Sequence, residues 1–153
     1  MPLEKREQKA TETESELSIE ELYRNTLEKL RSISILVVED NLINQKVILA
    51  ILKKYRIFTD VAENGIIAIE KMSKKYYDLV FMDVQMPEMD GLETSKNIRL
   101  KDSSVLNHDI KIIAMTAHSL EEDRQDCLKS GMDDYLPKPI DIKKLLELLS
   151  KFY

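Results

Sequence analysis

Four apolar runs along the chain each stop abruptly at polar residues. Ile33-Ser34-Ile35-Leu36-Val37-Val38 ends in Glu39-Asp40, and the run 79–82 ends in Asp83, after which Pro87 and Gly91 mark a turn. The run 110–115 ends in Thr116, and Asp134-Tyr135-Leu136 ends in Pro137-Lys138-Pro139. A short apolar run bounded by turn signals reads as a strand buried on both faces. A further short strand is expected near residues 58–62, closed by the turn Asn64-Gly65. The stretches between these runs carry helical spacing instead. Asn41 is placed to cap a helix whose inner face is Val47, Ile48, Ile51, Leu52 and Tyr55. Ile66, Ile69 and Met72 form the next helical face, and another helix spans about 91–99 before the polar loop 101–109. A helix over 119–129 stops at Ser130-Gly131, where glycine suits the left-handed cap. The last helix, 140 to about 152, buries Ile142, Leu145, Leu146 and Leu149.

Upstream of these elements the pattern weakens. Residues 1–16 are rich in Glu, Lys, Gln and Thr, and too little of them is apolar to offset the entropy of ordering, so disorder is expected. Ser18 and Glu21 have capping-box spacing, and Ile19, Leu22, Tyr23, Thr26, Leu27 and Leu30 follow as a narrow stripe, predicting a helix over 18–30. That helix either lies on its own domain or serves as a linker or dimer element; under two heptads do not discriminate. The predicted organisation is an N-terminal extension, 1–31, and one domain, 32–153.

Five strands alternating with five helices predict an α/β fold with a doubly wound parallel sheet, because parallel strands need crossovers and crossovers are right-handed. By analogy with flavodoxin-like sheets the strand order is 2-1-3-4-5, which makes the first and third strands neighbours where the order reverses. Ligands of such sheets bind there, outside the carboxyl ends of the strands. Glu39, Asp40 and Asp83 then converge, with Thr116 and Lys138 at neighbouring strand ends. Composition narrows the rest. The 153 residues suit one domain, and the apolar share of 43% has no run long enough to span a bilayer. The charged N-terminus lacks a signal-peptide core, and the single cysteine, Cys127, permits a reducing compartment, so a cytoplasmic location is expected. A net charge of −5 without a basic stripe argues against direct nucleic-acid binding.

Each converging residue has an ordinary use when taken alone. Glu39-Asp40 could favour a helix N-terminus, Asp83 could brace a turn, Thr116 could cap a helix, and Lys138 could be a solvated amine. Their coincidence at four strand ends points to chemistry. Three carboxylates within a few Å repel by roughly several kcal/mol at an intermediate dielectric, which is relieved by a retained proton or a bound cation. All-oxygen ligation suits Mg²⁺, whereas zinc is disfavoured because His108 and His118 lack ligand spacing. A metal-bound carboxylate facing a phosphoryl donor can act as a nucleophile and form an acyl phosphate. Lys138 would add positive charge to the transferring oxygens, and Thr116 a hydrogen bond.

The motifs Leu36-Val37-Val38-Glu39-Asp40-Asn41, Met82-Asp83-Val84-Gln85-Met86-Pro87-Glu88-Met89-Asp90-Gly91, Ala114-Met115-Thr116-Ala117 and Tyr135-Leu136-Pro137-Lys138-Pro139 resemble the receiver domain of two-component response regulators. The resemblance covers about four fifths of the chain. It implies that Asp83 accepts a phosphoryl group from a phosphohistidine, and that Glu39, Asp40, Asp83 and the Gln85 backbone carbonyl hold Mg²⁺. It implies as well that Thr116 and Lys138 contact the phosphoryl group, that Tyr135 is the aromatic switch residue, and that the Lys138–Pro139 bond is cis. Such a domain is a phosphorylatable signalling module, catalysing only its own phosphorylation and slow dephosphorylation.

The run Glu39-Asp40-Asn41-Leu42-Ile43-Asn44-Gln45-Lys46-Val47 is similar to receivers of hybrid histidine kinases and phosphorelays. In such proteins the first helix helps dock a histidine kinase or histidine phosphotransfer protein, which here singles out Ile43, Asn44 and Val47. A downstream protein would read the face formed by helix 119–129, the fifth strand and the last helix. Two departures stand out. Arg56 replaces a glycine after the first helix, predicting an irregular helix end, and Lys111 replaces a proline before the fourth strand. The chain ends with the last helix, so action through its own surface is expected, as a standalone regulator, a relay intermediate or the excised end of a larger kinase. Gln85 and His118 flank the approach of attacking water and are expected to tune the lifetime of the phosphoaspartate. Two other protein classes fit parts of the pattern. An aspartate-nucleophile phosphohydrolase of the haloacid dehalogenase type needs an acid two residues after the nucleophile, where this chain has Gln85. A flavodoxin-like ligand-binding protein would have to seat a phosphate-bearing cofactor among three carboxylates.

Overall fold

The alternation of apolar runs and helical stretches becomes one parallel sheet with helices on both faces in the computed structural model, which describes residues 19–117 and 121–153. In chain order the elements are α1 (Arg24–Ser32), β1 (Ile35–Val38), α2 (Leu42–Lys54), β2 (Asp60–Ala62), α3 (Gly65–Lys74), β3 (Leu79–Asp83), α4 (Gly91–Arg99), β4 (Lys111–Thr116), α5 (Glu121–Lys129), β5 (Asp134–Pro137) and α6 (Ile142–Leu149). The strand order is β2-β1-β3-β4-β5, as expected, and every pair is parallel.

β1 and β3 are buried at every position and β4 at all but its first, which is why they read as apolar runs without alternation. Alternate side chains feed two cores. Ile35, Val37, Phe81, Ile113 and Met115 pack with Ile48 and Leu52 of α2 and Leu145, Leu146 and Leu149 of α6. Leu36, Val38, Val80, Met82, Ile112 and Ala114 face the other way, toward Ala68, Met72, Ile98 and Cys127.

α1 belongs to the first of these cores. Leu27 and Leu30 are fully buried in it, Thr26 Oγ1 donates to the Tyr153 carbonyl at 3.3 Å, and Arg31 Nε donates to the Tyr55 carbonyl at 2.9 Å. The helix therefore lies on its own domain, the first of its two expected roles. It starts later than its spacing predicts, after a turn at Tyr23 that breaks it from the helical residues 19–22. The capping residue Ser18 and the expected disordered stretch 1–16 fall outside the described residues, as do His118 and Ser119.

The buried stripe of α2 is Gln45, Ile48, Leu52 and Tyr55, which corrects the expected inner face. Val47 is 46% exposed, because the stripe steps by three and four residues and leaves position 47 on the outer side. β2 is likewise shorter than expected, and Phe58 stands 69% exposed ahead of it. The end of α2 is closed by paired bonds, Arg56 N–H to the Lys53 carbonyl and Ile57 N–H to the Leu52 carbonyl, both 2.9 Å. That closure needs a left-handed residue, and Arg56 supplies it at φ 59°. An arginine there carries the steric cost of a Cβ, so Arg56→Gly should stabilise the fold by about 1 kcal/mol. A higher urea midpoint at unchanged slope is the expected readout.

Candidate functional site

β1 and β3 lie side by side where the strand order reverses, and their carboxyl ends deliver the acids. Glu39 follows β1 directly and Asp83 is the last residue of β3; both side chains are buried, while Asp40 is exposed. One carboxylate oxygen from each of Glu39, Asp40 and Asp83 lies within 4.8 Å of the others. Glu39 is held from behind by Gln45, whose Nε2 donates to the Glu39 carbonyl at 2.6 Å. Gln45 was not among the residues expected at the site, although a polar residue in phase with Ile48 and Leu52 marks it in the sequence. Asn41 caps α2 through its side chain, accepting from Asn44 N–H at 3.0 Å.

Lys138 enters from β5. Its backbone N–H donates to the Thr116 carbonyl at 2.7 Å, and the Lys138–Pro139 bond is cis, as the resemblance implied. Its Nζ lies 2.9 Å from Glu39 Oε1 and 3.1 Å from Asp83 Oδ1, so one ammonium bridges two buried carboxylates. Gln85 N–H donates to Asp83 Oδ1 at 3.2 Å, and Gly91 N–H donates to the Val84 carbonyl at 3.0 Å. Gly91 presses so closely on the Asp83 carbonyl that a Cβ there would overlap it, which is why the turn needs glycine. Thr116 is buried at the end of β4, opposite Pro137 in register. Tyr135 is half-buried, with the Arg124 guanidinium 5.6 Å from its ring centre.

The electrostatics follow from this packing. Burial, then a hydrogen bond and repulsion from Glu39, push the Asp83 carboxyl up to about 7, against the counter-pull of Lys138. Burial also works against ionised Glu39, but hydrogen bonds from Asp83 and Lys138 and the Lys138 charge outweigh it, leaving Glu39 below the usual carboxylate range. Lys138 loses to burial and gains more from the two acids, so its amine is held above its ordinary value. Of the two acids, Asp83 is therefore the one whose ionisation is disfavoured and Glu39 the one held charged. Glu39 Oε2 is buried with no hydrogen-bond partner. An orphaned carboxylate oxygen beside two further carboxylates fits a hard divalent cation, so these residues suit Mg²⁺ by donor type.

Beside the acids a half-open pocket of about 130 Å³ is lined by Glu39, Asn44, Val47, Ile48, Met115, Lys138, Pro139 and Ile140. Ile43 is 72% exposed on the adjoining turn of α2, with Leu42 at 64%. The structure therefore brings together Glu39, Asp40, Asp83 and Lys138, sets Thr116 on the neighbouring strand end, and leaves Ile43, Asn44 and Val47 open to solvent next to them. Gln85 is exposed, with its N–H turned to Asp83.

A doubly wound parallel sheet with a lysine-bridged acid cluster at its switch point defines a class of phosphorelay signalling modules, and the sequence places the chain within it. Residues 35–150 match the family model for the response regulator receiver domain, and the chain belongs to that family. It is 43% identical over 120 residues to hybrid signal transduction histidine kinase B of Dictyostelium discoideum, covering 73% of this chain and 6% of that protein. The chain thus spans a small part of that relative's length. Among solved structures, the receiver domain of the sensor histidine kinase PA1611 of Pseudomonas aeruginosa superposes with a TM-score of 0.68 at 36% identity. It covers 78% of this chain and 95% of that one, and that structure holds a magnesium ion in its active-site cleft. The receiver of Ssk1 from Saccharomyces cerevisiae, solved with the histidine phosphotransfer protein Ypd1, gives 0.68 at 32% identity over 78% and 87% of the two chains. The phosphohydrolase and cofactor-binding alternatives have no support beside this membership. No helix among the described residues is long and apolar enough to cross a membrane.

Proposed function

We propose that the chain takes a phosphoryl group from a phosphohistidine onto Asp83, in a reaction that needs Mg²⁺, and changes conformation in response. The observation that carries this reading is the buried Asp83 carboxylate 3.1 Å from Lys138 Nζ, within one cluster with Glu39 and Asp40. An Asp83 oxygen attacks the phosphorus, the P–N bond to the donor imidazole breaks, and the imidazole leaves with the electron pair and takes a proton. Asp83 becomes an acyl phosphate. Mg²⁺ held by Glu39, Asp40, Asp83 and the Gln85 carbonyl would neutralise the carboxylates and add positive charge at the phosphoryl oxygens. Lys138 is already aimed at Asp83 and supplies the second positive group. Asp83 must be ionised to attack, and a cation held by these acids would favour that form. Incubation with a phosphorylated histidine phosphotransfer protein should transfer label to the chain in a bond stable to mild acid and cleaved by hydroxylamine. Label resisting hydroxylamine, or lying on Thr116 or Ser119, would sink the proposal.

New acceptor oxygens beside Thr116 would draw its hydroxyl inward and free space for the Tyr135 ring, a two-state element biased by local charge. The readout surface is then α5, β5 and α6, facing a downstream protein in the cytoplasm. The donor, a histidine kinase or histidine phosphotransfer protein, would dock on Ile43, Asn44 and Val47, with an apolar side chain entering the adjoining pocket. Exposed apolar groups beside the reacting atoms are the anchors such interfaces use. Ile43→Asp should slow transfer from the protein donor about tenfold or more, the loss of one apolar anchor, while sparing labelling by acetyl phosphate. Equal loss with both donors would make Ile43 structural. Residues 32–153 carry the chemistry, and the extension 1–31 contributes its helix to the core.

A further inference from the structure

We propose that Gly65 is a positioning residue of the acceptor site, its missing side chain seating the loop between β3 and α4 and so fixing where the Gln85 carbonyl stands. The inference rests on the Mg²⁺-dependent phosphorylation of Asp83 proposed above. Gly65 opens α3, capped by the Asn64 side chain, which accepts from Ile67 N–H at 2.8 Å. A helix gains nothing from glycine at such a position, since glycine is among the poorest helix formers. What glycine supplies is space. A Cβ on Gly65 would overlap Thr94 Oγ1 and lie 3.0 Å from both Cγ and the carbonyl oxygen of Met89.

Thr94, the nearer neighbour, has little room to retreat. Thr94 is fully buried on α4, and its Oγ1 donates to the Asp90 carbonyl at 2.7 Å. Met89 N–H donates to the Pro87 carbonyl at 2.9 Å, and Met86 is buried beneath the loop. Gly91 against the Asp83 carbonyl thus closes the base of loop 84–90, and Gly65 meets the same loop at the Met89 carbonyl and side chain and, beyond it, the Thr94 hydroxyl. Glu88, at the crest, holds a left-handed φ of 68°, a conformation that persists in a non-glycine residue only where its surroundings over-determine it. Mg²⁺ tolerates little departure from octahedral geometry, so a loop displaced by a fraction of an ångström costs metal affinity.

The test uses the full chain with Gly65→Ala, Thr94→Ala and the double variant. Mg²⁺ affinity is followed by calorimetry, and amide exchange over 84–90 is followed in EDTA, where no metal contributes. Gly65→Ala should weaken Mg²⁺ by about tenfold or more and speed exchange across the loop, because coordination geometry is strict. Thr94→Ala in the Gly65→Ala background removes the nearest clashing atom and should restore affinity to within about threefold, as coupled neighbours do. Met89→Ala empties the seat without adding atoms, so it remains informative if Gly65→Ala does not fold; it should weaken Mg²⁺ about threefold with little change in Tm, again through coordination geometry. A lowered Tm with unchanged Mg²⁺ affinity in Gly65→Ala, or unchanged affinity in Met89→Ala, overturns the inference. Absence of Mg²⁺ binding by the wild type overturns the functional reading, and this one with it.

Discussion

Asp83→Asn should abolish labelling by any phosphodonor and at the same time stabilise the metal-free protein. The amide keeps the shape and the acceptor for Gln85 N–H but is no nucleophile. The stability gain follows from the cost of ionising Asp83 in its buried site. Its carboxyl is pushed up to about 7, by burial first and Glu39 second, from an ordinary 3.8. Below about pH 4 both folded and unfolded states hold the proton, and Asp83 is neutral in the balance. As pH rises from about 4 to 7 the unfolded chain ionises first, so folding loses stability through that window; above about 7 the loss is constant. Three pH units at about 1.4 kcal/mol each bound the penalty, so the variant should gain about 2–4 kcal/mol at pH 8 and nothing at pH 4. Urea unfolding in EDTA at the two pH values checks this. Mg²⁺ should narrow the gap from the other side, because a cation at 100 times its dissociation constant adds about 2.7 kcal/mol to the wild type. A gain independent of pH would mean that Asp83 is not strained by its negative charge.

Lys138→Ala should act in the opposite sense on stability and in the same sense on chemistry. Its amine is 2.9 Å from Glu39 and 3.1 Å from Asp83, and its side chain is 22% exposed. Its amine is held above its ordinary value in the fold, so its contribution is fully present at neutral pH and is lost only as pH rises through that raised value. Glu39, held low, contributes above its unfolded value and loses that contribution as pH falls through its folded one. Removing the ammonium leaves two buried acids unpaired, a loss of about 2–4 kcal/mol at neutral pH, limited by the protons they take up. Phosphorylation by acetyl phosphate should fall about a hundredfold or more, the usual effect of deleting one preorganised positive group at a developing charge. Added Mg²⁺ should recover much of the stability and little of the rate, because it neutralises the acids without standing where Lys138 meets the phosphoryl group. Full recovery of the rate by Mg²⁺ would reduce Lys138 to a structural counter-ion.

Much of this was legible along the chain, and the limits have physical causes. Runs such as 79–82 announce strands because both their faces are buried, and one-dimensional order then suffices to place Asp83 at a strand end. The parallel sheet followed once crossovers were required, whereas its order rested on analogy with flavodoxin-like sheets. The N-cap of α2 at Asn41 was a local matter of the backbone, and local sequence carries it; the irregular helix end expected at Arg56 is instead a regular two-bond closure with Arg56 in the left-handed region. Tertiary structure alone decided what depends on distances between strands. The stripe of α2 passes through Gln45 and leaves Val47 outside, because the amide of Gln45 is satisfied by the Glu39 carbonyl and the periodicity of Val47 reads equally well either way. The N-terminal stripe fitted both an intramolecular and an intermolecular role until Leu27 and Leu30 were found in the core. Above all, the opposed shifts of Glu39 and Asp83, and the lysine 99 positions from Glu39 that bridges them, arise from three strand ends meeting in a desolvated corner. Sequence fixes which charges exist, and only the packed sheet sets how far apart they stand and how little water lies between them.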